Sequence, residues 1–251
     1  LRISRNDWNN FIKRLSDLNQ QSARLIEEYI NTYGTDDPDQ IVNYSYKVIR
    51  TFSNGSAALN AAMYDVIAEL SGVSVDPAEL ADLPEYGDVA KAVYGTMKTS
   101  LNASEIASAG ARLVKRTGAD TMLQNARRDG AQFAWIPAGD TCAFCLTLAS
   151  RGWQYMSKAA MKDGHAEHIH SNCDCTYAIR FNDRTEVAGY DPAVYREMYE
   201  EADGIKPKDK INSMRRMFYA DNREEILEQK ASAEEKRKEL NSSEAEETKV
   251  D

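Results

Sequence analysis

The stretch Gln132-Phe-Ala-Trp-Ile-Pro-Ala-Gly-Asp-Thr-Cys-Ala-Phe-Cys145 is answered by His165-Ala-Glu-His-Ile-His-Ser-Asn-Cys-Asp-Cys-Thr-Tyr-Ala-Ile-Arg-Phe181. Together they hold all the cysteines and all the histidines of this 251-residue chain. Gln132–Ile136 reads as a short strand, and Thr176–Phe181 alternates with the two-residue period of another. Pro137-Ala-Gly-Asp140 turns the chain from the first strand into the first cysteine pair. A small β-hairpin or sheet is therefore expected to bracket the cysteine and histidine cluster.

Thiolates and imidazoles paired at short spacing are what a four-coordinate zinc ion needs. Cys142 and Cys145 form a Cys-x-x-Cys turn, and His170 and Cys173 repeat that spacing from the far side of the loop. These four are the favoured ligands. Cys175 is the strongest substitute, and the all-cysteine quartet is the main rival; spacing leaves both open. His165 and His168 read more readily as surface imidazoles. Asp140 and Asp174 stand next to ligands, either accepting hydrogen bonds there or lying exposed in turns. With five good candidates, closure by four protein ligands around one structural zinc is the natural outcome. Two disulfides are the lesser alternative, because clustering with histidines favours metal and a reducing compartment.

Outward from this segment the pattern is helical. Trp8, Phe11, Ile12, Leu15, Leu18, Leu25, Ile26, Tyr29 and Ile30 recur at three- and four-residue steps, marking one long helix capped by Asn6 and ended by Gly34. A second helix carries Ile41 to Phe52 and a third Ala58 to Leu70. Val73 to Pro84 reads as a loop. Helices follow at Tyr86–Met97, Ala103–Lys115 (capped by Asn102) and Ala119–Arg128. After Tyr190 come Pro192–Glu201 and a longer segment from about Lys208, with a charged tail expected to fray from Glu228 onward. The fold class expected is mainly α. A helical assembly region at 1–130 precedes a small α+β zinc-binding module at 131–190, and C-terminal helices with a partly disordered tail occupy 191–251.

Net charge of −9 argues against broad affinity for DNA or anionic membranes, though not against a local basic patch. Basic residues gather at Arg127 and Arg128 and at Lys206, Lys208, Lys210, Arg215 and Arg216; solvated helix faces are their simplest reading, nucleic acid or an acidic partner the functional one. No apolar run reaches the roughly 20 residues of a membrane span, so no membrane partner is expected. The start lacks the apolar core of a secretory signal and also an initiating methionine, which leaves a trimmed leader open.

Phosphate-cradling loops, nucleophile elbows and framed carboxylate pairs are missing from the sequence. His165-Ala-Glu167 and Cys142-x-x-Cys145 are the two halves of a zinc deaminase signature, but in reversed order and without the preceding proline. A zinc-dependent enzyme acting on nucleic acid or nucleotides, deaminase- or nuclease-like, is therefore the alternative to a non-enzymatic protein.

Asp140-Thr-Cys142-Ala-Phe-Cys145-Leu-Thr-Leu-Ala-Ser-Arg-Gly152, a spacer, and His170-Ser-Asn-Cys173-Asp-Cys175-Thr176 resemble the minor capsid, or head morphogenesis, proteins of tailed bacteriophages, the broad group similar to protein F of phage Mu. The resemblance is strongest over Gln132–Phe181. It implies a virion component made in the host cytoplasm, encoded near portal and capsid genes and partnered with those proteins, with DNA a further candidate partner. It also implies a structural metal cluster on Cys142, Cys145, His170, Cys173 and Cys175. Many members carry proline after the histidine, where this chain has Ser171; that alters the stiffness of the turn and not its ligands. Some relatives add a toxin or ADP-ribosyltransferase domain, for which the two C-terminal helical segments and charged tail leave no evident room.

Overall fold

The computed structural model describes residues 1–138, 141, 143–156, 175–204 and 206–221, with 223–224, 227–228 and 231 beyond them. Three long helices form its frame: α1 (Arg5–Tyr33), α2 (Pro38–Leu70) and α4 (Ala103–Arg128), with the shorter α3 (Tyr86–Met97) against α2 and α4. The described part is mainly helical, as the periodicity predicts.

Local chemistry sets the ends. Ser4, not Asn6, caps α1, its Oγ accepting the Asp7 N–H at 3.1 Å. Gly34 ends the helix at φ +80°, a conformation that L side chains rarely adopt. Asp37 caps α2 through the Gln40 N–H with Pro38 at the first helical position. Asn102 caps α4 as expected.

The second and third expected helices are one helix, α2, and Ala103–Lys115 and Ala119–Arg128 are likewise one, α4. The residues at both apparent breaks are small because helices meet there. A β-carbon on Gly55 would stand 3.5 Å from Leu18 of α1, and one on Gly118 would stand 2.4 Å from both Ser56 Oγ and Asn60 Nδ2 of α2. One on Gly110 would meet Ile49 of α2 and Ile26 of α1. These contacts make α1 antiparallel to α2, and α4 parallel to it. They also explain why the buried stripe of α1 passes through Asn19 and Ser22 while Leu15, Leu18 and Leu25 are half-buried. Asn19, Ser22, Ser53, Ser56, Asn60 and Thr117 are buried polar residues of the three helices, lying in sequence between their two apolar stretches.

The helical frame has two apolar clusters. Toward the α1–α2 turn lie Ile26, Ile30, Ile41, Ile49, Val89, Val93, Ile106 and Val114. At the other end Trp8, Phe11, Tyr64, Ile67, Met122 and Leu123 pack directly against a sheet. Its centre is β2 (Gln132–Ile136), antiparallel to β3 (Gln154–Tyr155) on one side and β4 (Thr176–Arg180) on the other. Phe133, Trp135, Tyr177 and Ile179 carry the helical core into the sheet without a break at residue 131. Edge-on contacts join Tyr64 to Phe181 and Tyr177 to Trp135.

A parallel two-residue pair, β1 (Arg2–Ile3) with β5 (Glu186–Val187), ties the start of the chain to the segment after the sheet. The short α5 (Ala143–Ala149) packs on β2 and on α6 (Pro192–Glu201) and α7 (Pro207–Asp221), burying Leu146 with Met198, Ala202 and Met214.

The Val73–Pro84 segment is irregular, as expected, but firmly held. Its backbone polar groups find side chains of α2 and α4 in place of a ladder. Asn125 accepts the Glu79 N–H at 2.9 Å and donates to the Glu79 carbonyl at 2.8 Å. Asp65 takes the Ala78 N–H and Thr121 the Ala81 N–H. Arg128 donates to the carbonyls of Pro77 and Asp76 and forms a two-point ion pair with Asp129, which also accepts from Tyr64 Oη at 2.7 Å.

Candidate metal centre

The antiparallel register pairs Ile136 with Thr176 at the end of the β2–β4 ladder. Cys175, the residue before Thr176, therefore falls beside Pro137, and its Sγ accepts the Ala138 N–H at 3.4 Å. Thr141 Oγ1 stands 3.8 Å from the same sulfur. The two ends of the cysteine- and histidine-bearing segment thus leave the sheet side by side. Cys145 lies in the first turn of α5, which packs on β2.

Both thiols are withdrawn from water: Cys145 is 2% and Cys175 5% exposed, and both belong to the apolar cluster of Trp135 and Tyr177. Their surroundings suit bound thiolates. A backbone N–H directed at Cys175 sulfur stabilises negative charge there, as hydrogen bonds to metal-bound thiolates do. The buried indole N–H of Trp135 has no acceptor among the described residues, an unmet donor in the cluster that holds both sulfurs. On this chemistry the residues fit a zinc ion.

Cys142, His170 and Cys173 lie outside the described residues, as do His165, His168, Asp140 and Asp174. Among the described residues no three ligand-type side chains gather at one point. Of the five candidate ligands the described structure thus places two, Cys145 and Cys175, both buried in the apolar cluster of Trp135 and Tyr177. Two contributors escaped the sequence reading. The Ala138 N–H carries no side-chain signal; Thr141 was visible as the hydroxyl residue before Cys142.

The basic residues separate into different roles. Arg128 belongs to the network that holds the 73–84 segment, and its guanidinium lowers the carboxyl pKa of Asp129, with the Tyr64 hydroxyl adding to the effect. Burial and that same carboxylate raise the Tyr64 phenol. Lys210 turns inward over the ring of Tyr199. Lys208, Arg215 and Arg216 face outward.

No described helix is long and apolar enough to cross a membrane. The family model described as VG15 protein matches residues 2–202, well over half of the chain, and the chain belongs to that family. This membership points to a viral protein. No curated protein and no solved structure matches the chain.

Proposed function

We propose that this VG15-family protein is a structural, non-enzymatic minor capsid protein of a tailed phage or prophage. It is associated with the portal or the inside of the head, resides in the virion, and acts in head morphogenesis and in DNA packaging or ejection. Its partners are portal and capsid proteins. Four of Cys142, Cys145, His170, Cys173 and Cys175 hold one structural zinc, which when bound cross-links the exit of β2 to the entry of β4. The chain's own groups prepare this: the ladder aligns the two loop ends, the Ala138 N–H steadies the Cys175 sulfur, and burial keeps water from both placed thiols.

The observation that carries the zinc reading is the placement of Cys175 against Ala138 at the end of the β2–β4 ladder. Bringing together the ends of the long connection between Ile136 and Thr176, in which α5 and β3 lie, costs chain entropy, and a metal clip offsets that cost. Family membership supports the viral setting. Mass spectrometry of virions from an induced lysogen tests the assignment: the protein should co-purify with heads at low copy number and disappear from heads lacking the portal. Its absence from virions would remove the capsid reading. One open, water-bearing zinc position would instead favour the enzyme alternative.

A further inference from the structure

The outward face of α7 is a charged surface that the metal centre does not use, and it lies beyond the stretch matched by the family model. At 3.6 residues per turn, Lys208, Asn212, Arg215, Arg216 and Tyr219 share one side of α7, with the helical Arg223 two residues past its end, and all are exposed. The opposite side buries Ser213 and Met214 and packs Met217 and Phe218 against α5 and α6. Of the described carboxylates of this segment, Asp221 and Glu224 fall on the far side of the axis, and Asp209, exposed at the helix start, borders the basic face at its first turn. Among the described residues Lys208, Arg215, Arg216 and Arg223 form no ion pair. Four uncompensated cations on one helix face stand out in a chain of net charge −9.

We propose that this face of α7 docks the phosphate backbone of duplex DNA, with Lys208, Arg215, Arg216 and Arg223 each contacting phosphate and Tyr219 lying among them. A protein partner fits the face poorly. Stable protein interfaces have an apolar, charge-depleted centre, and here the centre is charged, with one aromatic ring and no aliphatic anchor. Phosphate binding needs only fixed cations, and the acidic remainder of the chain repels DNA, which confines contact to this helix. The inference goes beyond the capsid reading and rests on no zinc ligand.

The test is fluorescence anisotropy of the full chain with a labelled mixed-sequence duplex between 50 and 200 mM salt. Four phosphate contacts give a log–log salt slope of about −3.6, so affinity should fall about 150-fold over that range. The double variant Arg215→Gln/Arg216→Gln should bind more weakly with a slope of about −1.8, its circular dichroism melt unchanged because both side chains are exposed. Lys13→Gln/Arg24→Gln removes two cations already paired within α1 and should leave binding as it was. No binding at 50 mM salt, an unchanged slope in the α7 variant, an equal loss in the α1 variant, or preference for polyglutamate over DNA would each overturn the proposal. A chain found in virions yet inert toward DNA would sink this inference alone.

Discussion

Replacing Gly118 with alanine sets two effects of known size against each other. In a helix interior, alanine is favoured over glycine by about 0.8–1.0 kcal/mol. At Gly118, however, the new β-carbon would stand 2.4 Å from both Ser56 Oγ and Asn60 Nδ2. Ordinary contact begins about 1 Å farther out. Ser56 and Asn60 are buried, and the Asn60 amide is held to the Ser56 carbonyl at 2.8 Å, so neither moves without losing a bond or displacing a helix. Overpacking of this kind costs about 1–3 kcal/mol and the lost hydrogen bond about 1 more. The clash wins, with a net loss of about 2 kcal/mol, or about 4–8 °C in Tm for a chain of this size. Gly95 of α3 is the control, since nothing stands within 4 Å of its added β-carbon. Gly95→Ala should stabilise by about 0.5–1 kcal/mol. Urea unfolding of both variants reads the difference directly. If Gly118→Ala were as stabilising as Gly95→Ala, the close packing of α4 on α2 would be wrong.

Asp129→Asn should cost about 2 kcal/mol by removing charge-assisted bonds from Arg128 and weakening the acceptor for Tyr64. Because the folded-state pKa of Asp129 is depressed, its contribution is present above the unfolded value of about 3.9 and lost as pH falls through the folded value. The stability gap between wild type and variant should therefore close under acid, and a gap unchanged down to pH 2 would contradict the pairing. The Tyr94 phenol is pushed up to about 12 by its hydrogen bond to Asp39, so Asp39→Asn should bring one tyrosine back toward its ordinary range in an ultraviolet titration; no change would refute the contact. Chelation of zinc should lower the melting temperature in one transition seen equally by helix and aromatic signals, because Tyr64, Met122, Trp135 and Tyr177 share one core. A sheet that melts while the bundle persists would disprove that coupling.

Much of the fold was written in local pattern. Tyr86–Met97, Gln132–Ile136 and Pro192–Glu201 form where periodicity and turn residues put them. The splits within α2 and α4 came from glycine and small polar residues that a single sequence presents as breaks. In three dimensions Gly55 and Gly118 are where helices touch. The cap of α1 fell on Ser4 because its hydroxyl lies three residues before the Asp7 N–H, whereas Asn6 stands two positions farther along, already inside the first turn. Nothing local announced β1 pairing with β5, since two residues on each side carry no period. Side chains from Asp65, Thr121, Asn125 and Arg128 hold the 73–84 segment across long sequence separations that composition does not encode. At the candidate site, residue types and spacing selected five candidate ligands, of which the described residues include Cys145 and Cys175. What sequence could not supply was the ladder register that sets Cys175 against Ala138, while Cys142, His170 and Cys173 lie outside the described residues.

The most direct measurement is the metal content of freshly purified, fully reduced protein, combined with X-ray absorption at the zinc edge. One zinc per chain, in a four-coordinate shell of sulfur with at most one imidazole and Zn–S near 2.3 Å, is the expected result. Cys145→Ser should alter that shell, and Cys175→Ser separates the all-cysteine set, which it breaks, from the set with His170, which it leaves intact. A reduced, folded sample free of stoichiometric zinc would contradict the account.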